Sequence, residues 1–441
     1  MNTHNNGRMM GGAFLCAWFG AAAMSAQVGI YGIGNLGGGE DYSEVRAAIL
    51  TSNGIVAVGG ANGQSWNTTA NGGGGTAPDT AVLWTKGNGA GVLTALPPIV
   101  APNIDNVGRV VTAGDITEIS PGNLVIAARS YYDGSAGFSA LHPNAKESVL
   151  YSYTFNGTSV SYGSTTVLTP NISANNQNAT NAISRDGAVV YGFANVPGGM
   201  VSTRWTAGTG QVSLGQIGSD VANIPSPRAI SSDGSVMVGT TTLNDLAGTT
   251  NAFIYRSTGG FTNIGTLAGG TNSQSVGVSG DGSLVFGSSQ STAHPNGEAF
   301  FWNANTSTFT ALGTPNDSLV AQFGGITGDG SAGVLTFGDN AGSPSSFVTE
   351  IYNSHGMYDL ATVFAAGGVS TSGWSNLFVW GISPDGQLIY GTGNLNGTNQ
   401  GFVAELPLGL VAAIPEPSTY AALGGLAALA LAIRARYRPT G

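Results

Sequence analysis

Cysteine is nearly missing from this chain: Cys16 is the single one in 441 residues. Beyond it, a disulfide framework, a thiolate nucleophile and a cysteine-ligated metal site are excluded, so stability has to come from packing. Charge is scarce too, at 8% of residues against the ~25% usual for globular proteins. Lys and Arg number 13 against 23 Asp and Glu, a net charge of −10. That balance argues against nucleic acid as a partner, because phosphate contacts need clustered cations. His142, His294 and His355 are the only histidines beyond the N-terminal segment, and all three sit in loop-like contexts without HExxH spacing. No GxSxG elbow and no DxDxDG calcium loop occurs. The glycine-rich stretch Gly34–Asp41 lacks the Lys-Ser/Thr of a phosphate loop. The sequence therefore points to no catalytic residue, no metal site and no cofactor.

Glycine is abundant instead, at 71 residues. Low charge with regularly placed aromatics is not the composition of solvated disorder. It suits many short strands joined by tight turns. One phrase recurs: a small-apolar-Ser group, Asp-Gly, a β-rich run, then Gly. Its copies are AISRDGAVVYG, AISSDGSVMVG, GVSGDGSLVFG, GITGDGSAGVLTFG and GISPDGQLIYG. Their turns are Asp186-Gly187, Asp233-Gly234, Asp281-Gly282, Asp329-Gly330 and Asp385-Gly386, and the glycines step by 47, 48, 48 and 56 residues. That period is a propeller-blade period. Two weaker copies, AILTSNGIVAVG and EISPGNLVIAA, come earlier, with longer spacings that imply insertions near residues 60–80 and 130–148.

A second phrase follows each first one: AVLW, VLYSY, TRW, AFIY, AFFW, SFVTEIY and GFVAEL. A third comes next, as in SLGQIG, TNIGTL, TALGT and YDLAT. Asp-Gly and Asn-Gly between β-rich runs mark hairpins, because Gly, Asn and Asp tolerate positive φ. Each unit thus reads as four strands: A before the turn, B after it, C at the aromatic phrase and D at the Leu-Gly phrase. Seven units give an all-β, seven-bladed β-propeller with four-stranded blades over residues 27–406. A β-solenoid or a pair of β-sandwiches is the runner-up. The stretch from Ile30 aligns with Phe261–Gly282, so it opens on a D strand, whereas Leu406 ends a C strand. An N-terminal D strand would complete the last blade and hide its edge.

The repeated aspartates can be pictured as a carboxylate ring or calcium ligands, but an aspartate before Gly ordinarily accepts its own turn's N–H groups. Glu118, Arg129, Tyr131, Tyr132 and Glu298 could supply rim chemistry, although no spacing groups them. Trp84, Trp205 and Trp302 fit gaps between blades. Trp66 and Trp374, outside the aromatic phrase, are better placed to stack on sugar.

Both ends carry targeting signals. Arg8, an apolar segment from Met9 to Met24 and Ser25-Ala26-Gln27 form a positive start, greasy middle and small-residue end, which describes a signal peptide over residues 1–26 cut between Ala26 and Gln27. After a linker at 407–414, the C-terminus holds Pro415-Glu416-Pro417, an apolar stretch at 420–433, then Arg434, Arg436 and Arg438. Fourteen helical residues span roughly 21 Å, short of a hydrocarbon core of roughly 30 Å, which snorkelling arginines extend. These arginines act as a membrane stop and favour a cytoplasmic C-terminus. Without the two segments the chain keeps 9 basic and 22 acidic residues, so −13.

The tail at 415–441 resembles the PEP-CTERM sorting domain of exported Gram-negative bacterial proteins. That resemblance implies an exosortase as processing partner, transient anchoring in the inner membrane and a final place at the cell surface or outside. The repeats resemble HAF-type repeats, carried by Phe300-Phe301-Trp302, Ile33–Gly38 and Ile230–Gly234, with Ile33 standing where that pattern has Leu. Together these readings lead to the expectation of a non-enzymatic binding module that meets extracellular polysaccharide. A secreted polysaccharide hydrolase or lyase is the alternative.

Overall fold

In the computed structural model, the described residues are 28–36, 42–61, 80–97, 111–131, 146–168, 178–197, 199–215, 217, 224–242, 249–339 and 347–414. The signal segment with Ala26 and Gln27, the tail with Pro415, Glu416, Pro417, Arg434, Arg436 and Arg438, and most of both expected insertions lie outside them. Among the described residues no helix is long and apolar enough to cross a membrane.

The strands form seven sheets of four antiparallel strands each. Blades 1 to 6 follow chain order, A to D. Blade 7 takes strands A to C from Trp374–Ile382, Leu388–Leu395 and Thr398–Glu405, and its fourth strand from Gly29–Gly32 at the other end of the chain. The splice pairs Gly29 with Glu405 and Gly32 with Phe402. Beyond it, Ile33 N–H donates to Gly401 C=O at 2.9 Å, and Ser43 Oγ of blade 1 accepts from Gly401 N–H at 3.0 Å. The expected closure by an N-terminal D strand is therefore what the chain adopts.

Seven apolar clusters mark the seams between blades. The 4/5 seam holds Val238 and Ile254 against Val285, Phe300 and Trp302. The 7/1 seam holds Leu388 and Val403 against Val45, Ala57 and Trp84. The aromatic phrase supplies the largest of these side chains. Tyr151, Phe253, Phe300, Tyr352 and Phe402 are all fully buried, and truncation of such a ring typically costs about 3–5 kcal/mol.

The Ser-x-Asp-Gly phrase has a repeated physical role. In blade 4, Ser231 Oγ donates to Asp233 Oδ1 at 2.7 Å and accepts from Val236 N–H at 2.9 Å. The same oxygen of Asp233 accepts from Ser235 N–H at 2.9 Å. Ser184, Ser279, Thr327 and Ser383 repeat the pattern with Asp186, Asp281, Asp329 and Asp385. The following glycines, Gly187, Gly234, Gly282, Gly330 and Gly386, all have φ between 71° and 73°, which a side chain would strain. The residue between Ser and Asp links blades. Arg185 N–H donates to Ser232 C=O, Ser232 N–H to Gly280 C=O, Gly280 N–H to Gly328 C=O, and Gly328 N–H to Pro384 C=O, all at 2.7–2.9 Å. Four bonds thus tie blades 3 to 7 in series.

Two expectations need correction. YDLAT is strand only as far as Asp359; Leu360–Gly367 forms a helix, α1. Asp359 caps it by accepting from Thr362 N–H at 2.8 Å, and Leu360, Val363 and Phe364 are buried in the 6/7 seam. The segment 407–414, expected as a linker, holds a short helix, α2 (Leu410–Ala413), and is docked. Val411 and Ile414 are buried, and Val411 C=O accepts from Asn353 Nδ2 at 2.9 Å. Apolar side chains drive both departures, which Gly and Pro punctuation alone does not reveal.

Candidate functional site: the axial channel

The seven A strands enclose a central channel of about 470 Å³. Each contains a one-residue break in its pairing with strand B. Six breaks are equivalent and leave Arg46, Gly114, Asn181, Arg228, Val276 and Trp380 unpaired. All six of these line the channel. A β-bulge re-aims the extra residue, and here it turns one residue of each of these six strands toward the axis. In blade 6 the break falls at Gln322, beside Phe323.

In five of these six blades the strand-B residue facing the bulge is the glycine that closes the repeated phrase; in blade 2 it is Ala128. A Cβ at Gly59, Gly192, Gly239, Gly287 or Gly391 would overlap a carbonyl oxygen of strand A, on Glu44, Ala179, Ser226, Gln274 or Phe378 respectively. Each carbonyl belongs to the residue two before the bulge.

The bulges place two guanidinium groups in the channel. Arg46 binds Glu44 through Nε–Oε1 at 2.6 Å and Nη2–Oε2 at 3.0 Å. Its Cζ lies 3.6 Å from the Trp380 ring centroid. Trp380 Nε1 donates to Thr392 Oγ1 at 3.2 Å, which fixes the indole. Arg228 Cζ lies 5.3 Å from the Phe323 ring, and the Phe323 and Trp380 rings are 4.1 Å apart. Among the described residues Arg228 has no ion pair and no hydrogen-bonded acceptor. Its side chain is solvent-accessible yet walled by protein, and this loss of bulk water, with the Arg46 charge, pulls its pKa below the usual arginine value.

Asp115 lies next to the Gly114 bulge. Its Oδ1 accepts from Ile116 N–H at 2.8 Å, and its Oδ2 from Ile183 N–H of blade 3 at 3.0 Å. Enclosure raises its pKa to about 6 despite those two bonds. The phenol of Tyr390, also on the channel wall, is pushed well above its ordinary value by burial and then by Asp115.

The aspartates of the repeated turns surround the channel end where the A strands finish, and each is exposed. Hydrogen bonds hold three of these carboxylates low: the Ser184 hydroxyl foremost for Asp186, the Ser279 hydroxyl for Asp281 and the Ser235 N–H for Asp233. Burial raises Asp329, but the Thr327 hydroxyl and Ser331 N–H outweigh it. Their observed partners belong to their own turns. No group of three potential metal ligands is found among the described residues.

Other expected candidates do not converge. Glu118 in blade 2 accepts from Gly122 N–H at 2.7 Å, whereas Glu298 in blade 5 accepts from Ser291 Oγ at 2.6 Å. Arg129 lies in blade 2, far along the chain from Glu298. Tyr132, His142 and Trp66 fall outside the described residues. His294 contacts Asp317 and Glu298 at the surface, and the Asp317 bond raises its pKa. Trp84 and Trp302 are buried in seams, and Trp205 borders a gap between blades 2 and 3. Trp374 packs edge-on against Phe402, with ring centroids 5.8 Å apart, and is only half-buried.

A pH response follows from two carboxyls whose pKa is raised in the fold. Asp115, at about 6, and Glu350, raised to about 7 by burial and then by Asp359, both bind protons more tightly in the folded state. Their stabilising contribution is complete below the ordinary carboxyl range and is lost as pH rises through 6 and 7. Asp186, Asp233, Asp281 and Asp329, held low, act oppositely, losing their contribution as pH falls below about 4. The melting temperature should therefore peak near pH 5 and decline by pH 8. Glu350→Gln should flatten the decline between pH 6 and 8, as read by calorimetry across that range.

The channel, seams and splice define a seven-bladed β-propeller closed through its first strand. No family model and no curated protein matches the chain. Solved structures do resemble it. TolB from Acinetobacter baumannii is 13% identical, with 68% of this chain and 81% of that one covered and a TM-score of 0.38. A prolyl endopeptidase is 10% identical at a TM-score of 0.44; 84% of this chain is covered, but only 51% of that one. The β-propeller domain of the Trilobed protease from Pyrococcus furiosus, described as having an open velcro topology, is 7% identical, with coverage of 84% and 95% and a TM-score of 0.44.

Proposed function

We propose that this chain is an exported, exosortase-processed surface or matrix protein whose propeller is a non-enzymatic binding module for extracellular polysaccharide. The sequence at its two ends supports the address. The observation that carries the binding reading is the bulge ring, which holds Arg46, Asn181, Arg228 and Trp380 in one channel. Preset polar and aromatic groups in a cavity of this size are the usual makings of a ligand site.

Asp115 and Tyr390 give the alternative, a polysaccharide hydrolase or lyase, its own footing. An enclosed acid titrating near neutrality is a candidate proton donor. Both Asp115 oxygens already accept backbone N–H groups, which favours a structural role.

Incubation with a glycan panel separates the readings. Retention without product is the expected result; new reducing ends or unsaturated products would establish the enzyme instead. Intact mass of protein recovered outside the cells tests the address, with loss of residues 1–26 and of the basic tail expected.

A further inference from the structure

We infer that Arg46 and Arg228 together form a seat for the carboxylate of a sugar acid inside the channel. This deepens the binding reading above and rests on it.

The first support is scarcity. Only nine basic residues lie between positions 27 and 413, and Arg46, Arg185 and Arg228 of these line one channel. The second is the state of Arg228. A guanidinium presents five N–H donors in a fork that matches a carboxylate. Arg228 spends none of them on an acceptor among the described residues, and its guanidinium, 5.3 Å from the Phe323 ring, is open to the channel. Arg46 uses Nε and Nη2 on Glu44, which leaves its other terminal nitrogen as a donor.

The third support is repulsion. The two guanidiniums share one channel wall, Arg46 on the Trp380 ring and Arg228 on the adjoining Phe323 ring, and the Arg46 charge disfavours charge on Arg228. Glu44 offsets Arg46 alone. An anion entering the channel beside them would relieve that repulsion and pair with Arg228 through charge-assisted bonds, which are stronger than neutral ones. Asn181 stands on the same bulge level. Its Nδ2 donates to Pro227 C=O at 2.7 Å, so its Oδ1 can accept from a sugar hydroxyl. A channel of about 470 Å³ admits a small saccharide. The carboxylate could come from a free sugar acid or from the end of an acidic polysaccharide chain.

The test is calorimetric titration of the full-length protein with galacturonate, a galacturonate oligomer, the matching neutral galactose oligomer and sodium sulfate. Galacturonate or its oligomer should bind about tenfold more tightly than the neutral oligomer, and more weakly as salt rises. Arg228→Gln should weaken uronate binding at least about tenfold, Arg228→Lys less, and Lys86→Gln, outside the channel, not at all. Tighter binding of the monomer identifies a free sugar acid; tighter binding of the oligomer identifies a polysaccharide end. Either supports the seat. Equal binding of acidic and neutral oligomers, or unchanged uronate binding by folded Arg228→Gln, overturns it while leaving a glycan-binding propeller. Displacement by sulfate at the same concentration overturns the sugar-acid assignment. Failure of every glycan to bind overturns the binding module itself.

Discussion

Deletion of residues 28–33 is expected to leave a chain that expresses but aggregates, with no cooperative melting transition near that of the intact protein. The strand Gly29–Gly32 supplies the fourth strand of blade 7 and four residue pairs with Gly29 to Gly32 against Glu405 to Phe402. Its removal bares the edge of Thr398–Glu405, a row of free N–H and C=O groups that another chain can extend. It also strips Ile33, which is 4% exposed, and Tyr31 from the 7/1 seam. Each large apolar side chain contributes about 1.5–3 kcal/mol by burial, so the total loss rivals a typical domain's stability of about 5–15 kcal/mol. A peptide of the deleted sequence, supplied in excess, should restore part of the folded signal. Light scattering with circular dichroism reads both outcomes. A deleted chain that melts cooperatively at the original temperature would show that the splice is dispensable.

Gly239→Ala should be the most damaging single-methyl change in blade 4. The added Cβ meets Ser226 C=O and comes 2.9 Å from Phe253 Cζ. Neither can retreat easily, since the carbonyl is in a paired strand and Phe253 is fully buried. Overpacking of this kind costs about 1–3 kcal/mol. Gly260 is the control. It has φ 72° with nothing within 4 Å of a Cβ, so alanine there adds only conformational strain, about 1 kcal/mol. Because Ser226 lies two residues before Arg228, relaxation of the clash should also flatten the bulge and withdraw that guanidinium. Denaturant unfolding of both variants should rank Gly239→Ala well below Gly260→Ala. Equal effects would mean that the close approach carries no weight.

The fold was largely legible because its signals are local. An Asp-Gly pair reports a turn through its own φ preference, and the aromatic phrase reports a strand that fills a seam. The opening stretch from Ile30 read as a D strand by alignment with Phe261–Gly282, and its complement was the missing strand at Leu406. The closing glycine of five phrases was visible, but its reason was not: it faces a carbonyl on a different strand. The channel residues escaped for the same cause. Arg46 precedes its hairpin residue Thr51 by five positions, whereas Arg228 precedes Ser231 by three, so no fixed spacing joins them. Only the pairing register makes them equivalent. The one available signal was the rarity of arginine in a repeat that otherwise carries almost no cations. Trp380 was similarly hidden among tryptophans that proved to be seam fillers.

The series of backbone bonds that runs from Arg185 to Pro384 has a direction and a last link. Proline has no N–H to hand onward, so the series stops at blade 7. Blade 1 instead reaches blade 2 through the Asn53 side chain, whose Nδ2 donates to Phe155 C=O at 2.6 Å, and blade 2 reaches blade 3 through Thr117 Oγ1 and Arg185 C=O at 2.6 Å. The wheel is thus a hoop over five-sevenths of its rim, fastened by a clasp of side chains and a splice. Under tension applied between the two ends, the clasp would part first and the hooped arc would follow as a single piece.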